Sequence, residues 1–488
     1  MKVRTVFAIV ALAGSLTTTL EARVPERRLL KVYTSISACE VYELNKTIAS
    51  AQFAGRLTGD DGYTAAAHWA AQKFKGWGLK PVDPNQGYLQ PFPSPYTIVD
   101  EGEMTLILMD MPDSTGSPTQ VKLELAKDFL PTLYTDSGDH TAGLVFAGWG
   151  ISAPELSYDD YAGLDVAGKY VLCFRGTPDD ENKAYEEYDQ HRHRMRTARE
   201  KGALGIIYIY PEVNAHPNSD WMEGFTAAMI SDKVSDTLFA EKGLTSAQLR
   251  TSLSKSKKPD SFELASRVHY RVRSRHFPNG VGYNIVAMIP GSDPRLKSEF
   301  VVIGGHFDHC GRHMGLLFAG ADDDASGSAV VMELAKTVAR LRARPARSIV
   351  FVLFGGEEEG LVGSTYFAEH TPAPIAKIDA MFNFDMTGEG DGTNCGFTPT
   401  PPDFKRMIDE ADTLVKTLRR SWPIKGVGVR SSDFAPFFLK GAPCAAFFSN
   451  GPHLSYHETG DTIYRINPDI LADISKIGFL SAVRWADR

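Results

Sequence analysis

Three things are scarce in this sequence. Its 488 residues include only five cysteines, Cys39, Cys173, Cys310, Cys395 and Cys444. The number is odd and no two are spaced as CxxC. Neither a disulfide framework nor a cysteine zinc site can be read from them, although an oxidising compartment leaves room for one or two bridges. Basic charge is also short: 52 Lys and Arg face 60 Asp and Glu, a net charge of −8. Nucleic-acid binders usually show a basic excess, so no nucleic-acid partner is expected. Long apolar runs are missing beyond the first two dozen residues. A membrane-spanning helix needs about 20, so no stable membrane insertion is expected. Internal repeats and low-complexity tracts are missing as well.

What is present describes a folded chain. Apolar residues make up 43%, aromatic 10% and charged 23%, enough for a large core. The length implies two to three domains. At the N-terminus Lys2 and Arg4 form a short basic region. An uncharged stretch follows from Val6 to Leu20, and Ala22 offers a small residue for cleavage. This pattern predicts a signal peptide over 1–22 and a secreted or periplasmic protein.

Periodicity divides the remainder. Asp61 to Gly78 reads as an amphipathic helix, with Ala67, Ala70, Ala71, Phe74 and Trp77 on one stripe. Met104 to Met109 reads as a strand. The runs Leu144–Ala147 and Tyr170–Phe174, a charged helix over Glu186–Lys201 and the apolar run Leu204–Tyr210 suggest a small α/β insert. The insert is expected at 125–270, dividing a larger unit formed by 23–124 and 271–488. In the larger unit, strand-like runs at Ile285–Ile289, Phe300–Ile303, Ser348–Phe354, Ala380–Phe384 and Ala445–Phe448 alternate with helices, notably Ser326–Arg340. The expected fold is therefore α/β, with a mixed, largely parallel sheet flanked by helices. In such sheets function collects beyond the strands' carboxyl ends.

Five segments there concentrate acids and histidines. In Gly305-His306-Phe307-Asp308-His309, His306 and Asp308 are two apart and share a side of an extended backbone. A carboxylate so placed can fix a ligand histidine's tautomer. In Gly320-Ala321-Asp322-Asp323-Asp324-Ala325-Ser326-Gly327, three consecutive acids repel one another. A helix start stabilises one or two of them, and a cation of charge two or more explains all three better. Gly356-Glu357-Glu358-Glu359-Gly360 directly follows an apolar run. Adjacent carboxylates can divide labour, one holding metal and its neighbour taking a proton from water. Asn383-Phe384-Asp385 and Ser455-Tyr456-His457-Glu458-Thr459 complete the set. Histidine with carboxylate suits zinc, and also manganese or cobalt. Two histidines and three carboxylates exceed the needs of one four-coordinate zinc, and suit two ions sharing a carboxylate.

The pieces GHFDH, GADDDASG, GGEEEGLVGS, NFDM and YHETGDT, in this order, resemble the zinc aminopeptidase and glutamate carboxypeptidase family, family twenty-eight of the metallopeptidases. RLTG and its following helix are similar to that family's N-terminal region. DDYAGLDVAGKYVL and AREKGALGIIYI resemble a protease-associated domain, which would be the 125–270 insert. The resemblance implies a catalytic di-zinc peptidase domain and a substrate class of peptides. It implies one zinc on His306, Asp323 and Asp385, a second on Asp323, Glu358 and His457, and Asp323 as the bridge. Glu357 would be the base, Asp308 the orienting carboxylate and Tyr456 an oxyanion donor. An aminopeptidase is the expected activity. A glutamate-type carboxypeptidase, for which Arg430 and Arg312 are candidate anchors, a glutaminyl cyclase and a non-catalytic binding ectodomain are the alternatives. Relatives often have SDH where this chain has Ser432-Asp433-Phe434, which leaves that loop's role open. Cys310 reads as a small buried filler.

Overall fold

The computed structural model describes residues 24–488 except 113, 115, 218–219, 373–376, 391–394, 398–400, 416–420 and 424–430. The signal-peptide segment 1–22 and Arg430 lie outside the described residues.

The apolar runs of the larger unit form an eight-stranded sheet. Its order is Leu89–Pro93, Val281–Ile289, Ser348–Phe354, Glu299–His306, Lys377–Phe384, Cys444–Ser449, Cys395–Phe397 and Ser421–Pro423. The four strands from Ser348–Phe354 to Cys444–Ser449 run parallel. The two preceding pairings are antiparallel, so the sheet is mixed. A parallel strand covered on both faces needs continuous apolar sequence, and every residue of Ser348–Phe354 is buried. Alternate residues then go to opposite layers. Ile303, Ile349 and Phe351 join Phe74, Val330, Leu334, Ile474 and Leu480 from the helices Asp61–Gly76, Ala325–Ala339 and Pro468–Ala486. Val302, Val350 and Val352 meet Phe367, Phe434 and Phe437 on the other side.

Capping chemistry sets the helix starts. Asp60 accepts the Tyr63 amide and begins Asp61–Gly76, and Asp324 accepts the Gly327 amide and begins Ala325–Ala339. The first of these stops at Gly76, before Gly78, whose φ of 85° is left-handed. The charged helix expected from Glu186 starts instead at His191. Tyr185 and Tyr188 are drawn into an apolar core ahead of it, and their burial overrides the local helix preference.

A second eight-stranded sheet has every strand between Tyr96 and Phe277. None belongs to the sheet that carries Glu299–His306. Besides strands within 125–270, it takes in Tyr96–Pro112 and Pro118–Lys122, and Phe262–Phe277 runs past 270. The chain enters and leaves this unit side by side: Tyr96 pairs with Phe277, and Pro93 with Val281. One of its cores, containing Leu130, Tyr134, Val145 and Met229, also buries Cys310 and Phe318 from the loop after Glu299–His306. Cys310 is fully buried and free there, as a small filler would be.

Arg56 ties the first helices to the same loops. Its guanidinium is fully buried and donates to the carbonyls of Ile48, Phe307, Ala319 and Gly320. Burial holds its pKa down at about 10, although Asp461 and Asp308 oppose this. Arg56→Met would strand four buried carbonyls, each costing about 1–3 kcal/mol when unpaired. The expected result is a loss of about 4 kcal/mol or more, read as a lowered urea midpoint. An unchanged midpoint would show that water replaces the guanidinium.

Candidate metal centre

The parallel strands deliver the segments to one edge. His306 is the last residue of its strand, Asp385 directly follows Lys377–Phe384, and Glu357 and Glu358 follow Ser348–Phe354 after two glycines. Asp323 arrives at the start of helix Ala325–Ala339. His457 comes from the loop after Cys444–Ser449. The site thus lies where an open α/β sheet puts its ligands.

The five residues converge. His306 Nε2 lies 3.1 Å from Asp323 Oδ1 and 3.6 Å from Asp385 Oδ1. His457 Nε2 lies 3.0 Å from Asp323 Oδ2 and 3.0 Å from Glu358 Oε2. Asp323 therefore reaches both imidazoles, one with each oxygen. All but Asp385 are almost fully buried at the side chain, and Asp385 is 17% exposed. His457 Nε2 and Asp323 Oδ2 have no hydrogen-bond partner in acceptable geometry. Buried polar atoms left this way are rare. Lone-pair atoms aimed at a common point are what a cation needs, so the donor set fits zinc.

Charge follows the same pattern. Burial alone would raise Asp323, but the adjoining imidazoles of His306 and His457 hold its carboxylate well below the usual range. Glu358 is likewise desolvated, yet His457 and His309 hold it at about 2. Glu357 behaves oppositely. Burial drives its carboxyl well above the usual range, opposed by His306 and aided by Asp433, Glu358 and Asp385. Two adjacent carboxyls with pKa values pushed apart are suited to different tasks.

The remaining expected residues flank this group. Asp308 accepts the amides of Glu357 and Glu358, each at 3.3 Å. It stands 3.7 Å from His306 Nδ1, ion-pair range but longer than a hydrogen bond. Tyr456 is 45% exposed, and its ring stacks on His457 at 3.8 Å. Arg312 is exposed on the short strand Arg312–His313.

The three consecutive acids face different partners. Asp322 Oδ1 accepts the Gly388 and Glu389 amides, and Oδ2 pairs with His453 at 2.5 Å. Asp324 Oδ1 is used by the Gly327 and Met386 amides. Asp323 is the one that spans the two imidazoles. Repulsion within the triplet is relieved by backbone donors, which a sequence reading does not display.

Several participants carry no role in the sequence reading. His309 Nδ1 sits 2.8 Å from Glu358 Oε1, and the second histidine of GHFDH was its available signal. Asp461 accepts the Asp322 and Asp323 amides. Asp433 is fully buried, and burial lifts it to about 7. The Ser432 hydroxyl donates to Asp385 Oδ2 at 2.6 Å and accepts from Asn383 Nδ2 at 2.8 Å. The loop that departs from the SDH pattern thus still orients Asp385. Losing such an outer partner costs about 10–100-fold in metal affinity. Ser432→Ala is expected to weaken one zinc by about tenfold in a chelator competition. Equal affinities would leave the hydroxyl a packing role.

Residues 284–480 match the model of Peptidase family M28. The curated Aminopeptidase of Pseudomonas aeruginosa is 27% identical over 465 residues, covering 87% of this chain and 76% of that one. Leupeptin-inactivating enzyme 1 of Streptomyces exfoliatus is 34% identical over 180 residues, covering 35% of this chain. The chain spans 37% of that relative's length. Among solved structures, an aminopeptidase from Aneurinibacillus sp. strain AM-1 matches with a TM-score of 0.67 at 22% identity, covering 94% of this chain and 96% of that one. The zinc aminopeptidase BSAP from Bacillus subtilis matches at 0.62 and 18% identity, covering 93% and 96%. These likenesses establish the fold.

Proposed function

Because residues 284–480 match the model of Peptidase family M28, we propose that this chain is a zinc-dependent aminopeptidase that removes N-terminal residues from peptides. The observation that carries the reading is Asp323 set between His306 and His457, at 3.1 and 3.0 Å, with Asp385 and Glu358 beside them. The relatives named aminopeptidase support the direction of cutting. His306, Asp323 and Asp385 would hold one zinc, and Asp323, Glu358 and His457 the other. Bound zinc acidifies water and polarises a carbonyl.

The chain's own residues do the rest. Glu357, with its raised affinity for a proton, takes one from the attacking water and passes it to the leaving amine. Asp308 fixes the backbone of Glu357 and Glu358, holding base and ligand in register. Tyr456, stacked on His457 and partly exposed, would donate to the oxyanion. The free substrate amine meets a site rich in carboxylates, which favours an N-terminal ammonium over a blocked end.

The second sheet is assigned to a protease-associated domain that shapes access to this cleft. Among the described residues no helix is long and apolar enough to cross a membrane. With the basic and apolar N-terminus, export from the cytoplasm is part of the proposal. The test compares aminoacyl and N-acetyl-aminoacyl anilides on purified protein. Hydrolysis of the free-amine series alone, lost to chelator and restored by zinc, is the expected result. Cleavage from the carboxyl end, or equal rates on blocked substrates, would overturn it.

A further inference from the structure

The second-sheet unit reaches into the candidate metal centre through a backbone group. We propose that the Ala215 carbonyl, supplied by this unit, positions His457 as a metal ligand, so that the centre is complete only with the unit docked. This rests on the reading of His457 as a ligand.

The imidazole has two nitrogens with different surroundings. His457 Nδ1 lies 2.7 Å from Ala215 O. Nε2 lies 3.0 Å from both Asp323 Oδ2 and Glu358 Oε2. A carbonyl can only accept, so the hydrogen belongs on Nδ1. The neutral ring then turns the lone pair of Nε2 toward the carboxylates. Fixing the tautomer and ring plane in this way is what the outer partner of a metal-bound histidine does. The contact is reciprocal, because the Ala215 amide donates to the His457 carbonyl at 2.7 Å. Two bonds between the same two residues fix distance and rotation together.

Local strain makes the clamp consequential. His457 has a φ of 58°, a left-handed conformation disfavoured for a residue with a Cβ. Such a backbone persists where surrounding structure over-determines it, and the two bonds to Ala215 supply that restraint. Ala215 is fully buried and His457 is 4% exposed, so water has little access to replace either bond. Ala215 follows strand Gly205–Tyr210 of the second sheet, which anchors its loop. The ring of His216 adds an edge contact to His457 at 5.8 Å and rests on Tyr210 at 5.2 Å. The other histidine is served differently: His306 Nδ1 faces Asp308 from its own segment. The two candidate ions should therefore differ in their dependence on the second-sheet unit.

The test measures both zinc dissociation constants by chelator competition in folded full-length protein. Ala215→Pro removes the amide donor and displaces the backbone from His457, while Ala215→Gly keeps both bonds. Ala215→Pro is expected to raise one constant about 10–100-fold, the usual cost of losing an outer partner. The affected ion should be the one that His457→Ala weakens more. Ala215→Gly should stay within about threefold of wild type. Unchanged constants in folded Ala215→Pro would overturn the proposal. Should that variant not fold, a crystal structure of the zinc-loaded wild type decides. Nδ1 within about 3.2 Å of Ala215 O is expected, and a separation beyond hydrogen-bond range or an intervening water overturns it. A His457→Ala protein that retains both ions would instead refute the ligand reading, and this proposal with it.

Discussion

Asp323→Ala is expected to yield a folded protein that binds neither zinc ion at micromolar free metal. Each Asp323 oxygen faces a different imidazole, at 3.1 and 3.0 Å, so one side chain serves both positions. Removing it leaves His306 with Asp385 on one side and His457 with Glu358 on the other. Two protein ligands are fewer than the three or four that zinc sites use. Activity should fall to background, and added zinc should not restore it. His306→Ala and His457→Ala should each weaken one ion more than the other. Metal content by plasma emission, read beside a far-UV spectrum, separates metal loss from unfolding. An Asp323→Ala protein that still carries two ions would remove the bridge from the account.

Glu357→Gln is expected to lower kcat by roughly 10²–10⁴-fold, the scale of general acid–base catalysis, with zinc content intact. Burial and neighbouring acids push this carboxyl well above its ordinary range. A raised pKa makes a carboxylate a stronger proton acceptor. Glutamine keeps the shape and cannot take the proton. Glu358→Gln should behave differently, because Glu358 faces His457 Nε2 at 3.0 Å. There zinc occupancy should fall first, and excess zinc should recover part of the rate. If Glu357→Gln at full occupancy keeps a near wild-type kcat, another group is the base. If it loses zinc and regains activity on zinc addition, Glu357 serves charge balance.

The parts of this molecule that were legible in sequence are those whose signal is local. Ser348–Phe354 announces itself because a strand covered on both faces must be apolar throughout. His306, Asp323, Glu358, Asp385 and His457 are visible as ligand types, and their grouping came from motif order. What stayed hidden depends on partners distant in the chain. Nothing near Arg56 shows that it binds four carbonyls, three of them more than 250 residues away. The triplet 322–324 reads as one acidic patch until Asp322 finds His453 and Asp324 finds Met386. The strands Tyr96–Pro112 and Phe262–Phe277 lie far apart in sequence, and their long mutual pairing is decided by register rather than by composition.

That pairing has a consequence for how the chain reaches its native state. Pro93 and Val281 are partners in the main sheet, and everything between them must be looped out before they can meet. Closing so long a flexible loop costs on the order of 5 kcal/mol, growing as (3/2)RT ln n. Once Tyr96 and Phe277 are joined at the neck of the second sheet, the remaining gap is a few residues on each side. The distant pairing then becomes as inexpensive as a hairpin. Refolding should thus be ordered, with the Tyr96–Phe277 region acquiring amide protection before Leu89–Pro93 does. Pulse-labelled hydrogen exchange would show it. Nicking the chain within the second unit should slow formation of the Leu89–Pro93 edge far more than it alters the strands from Glu299 onward.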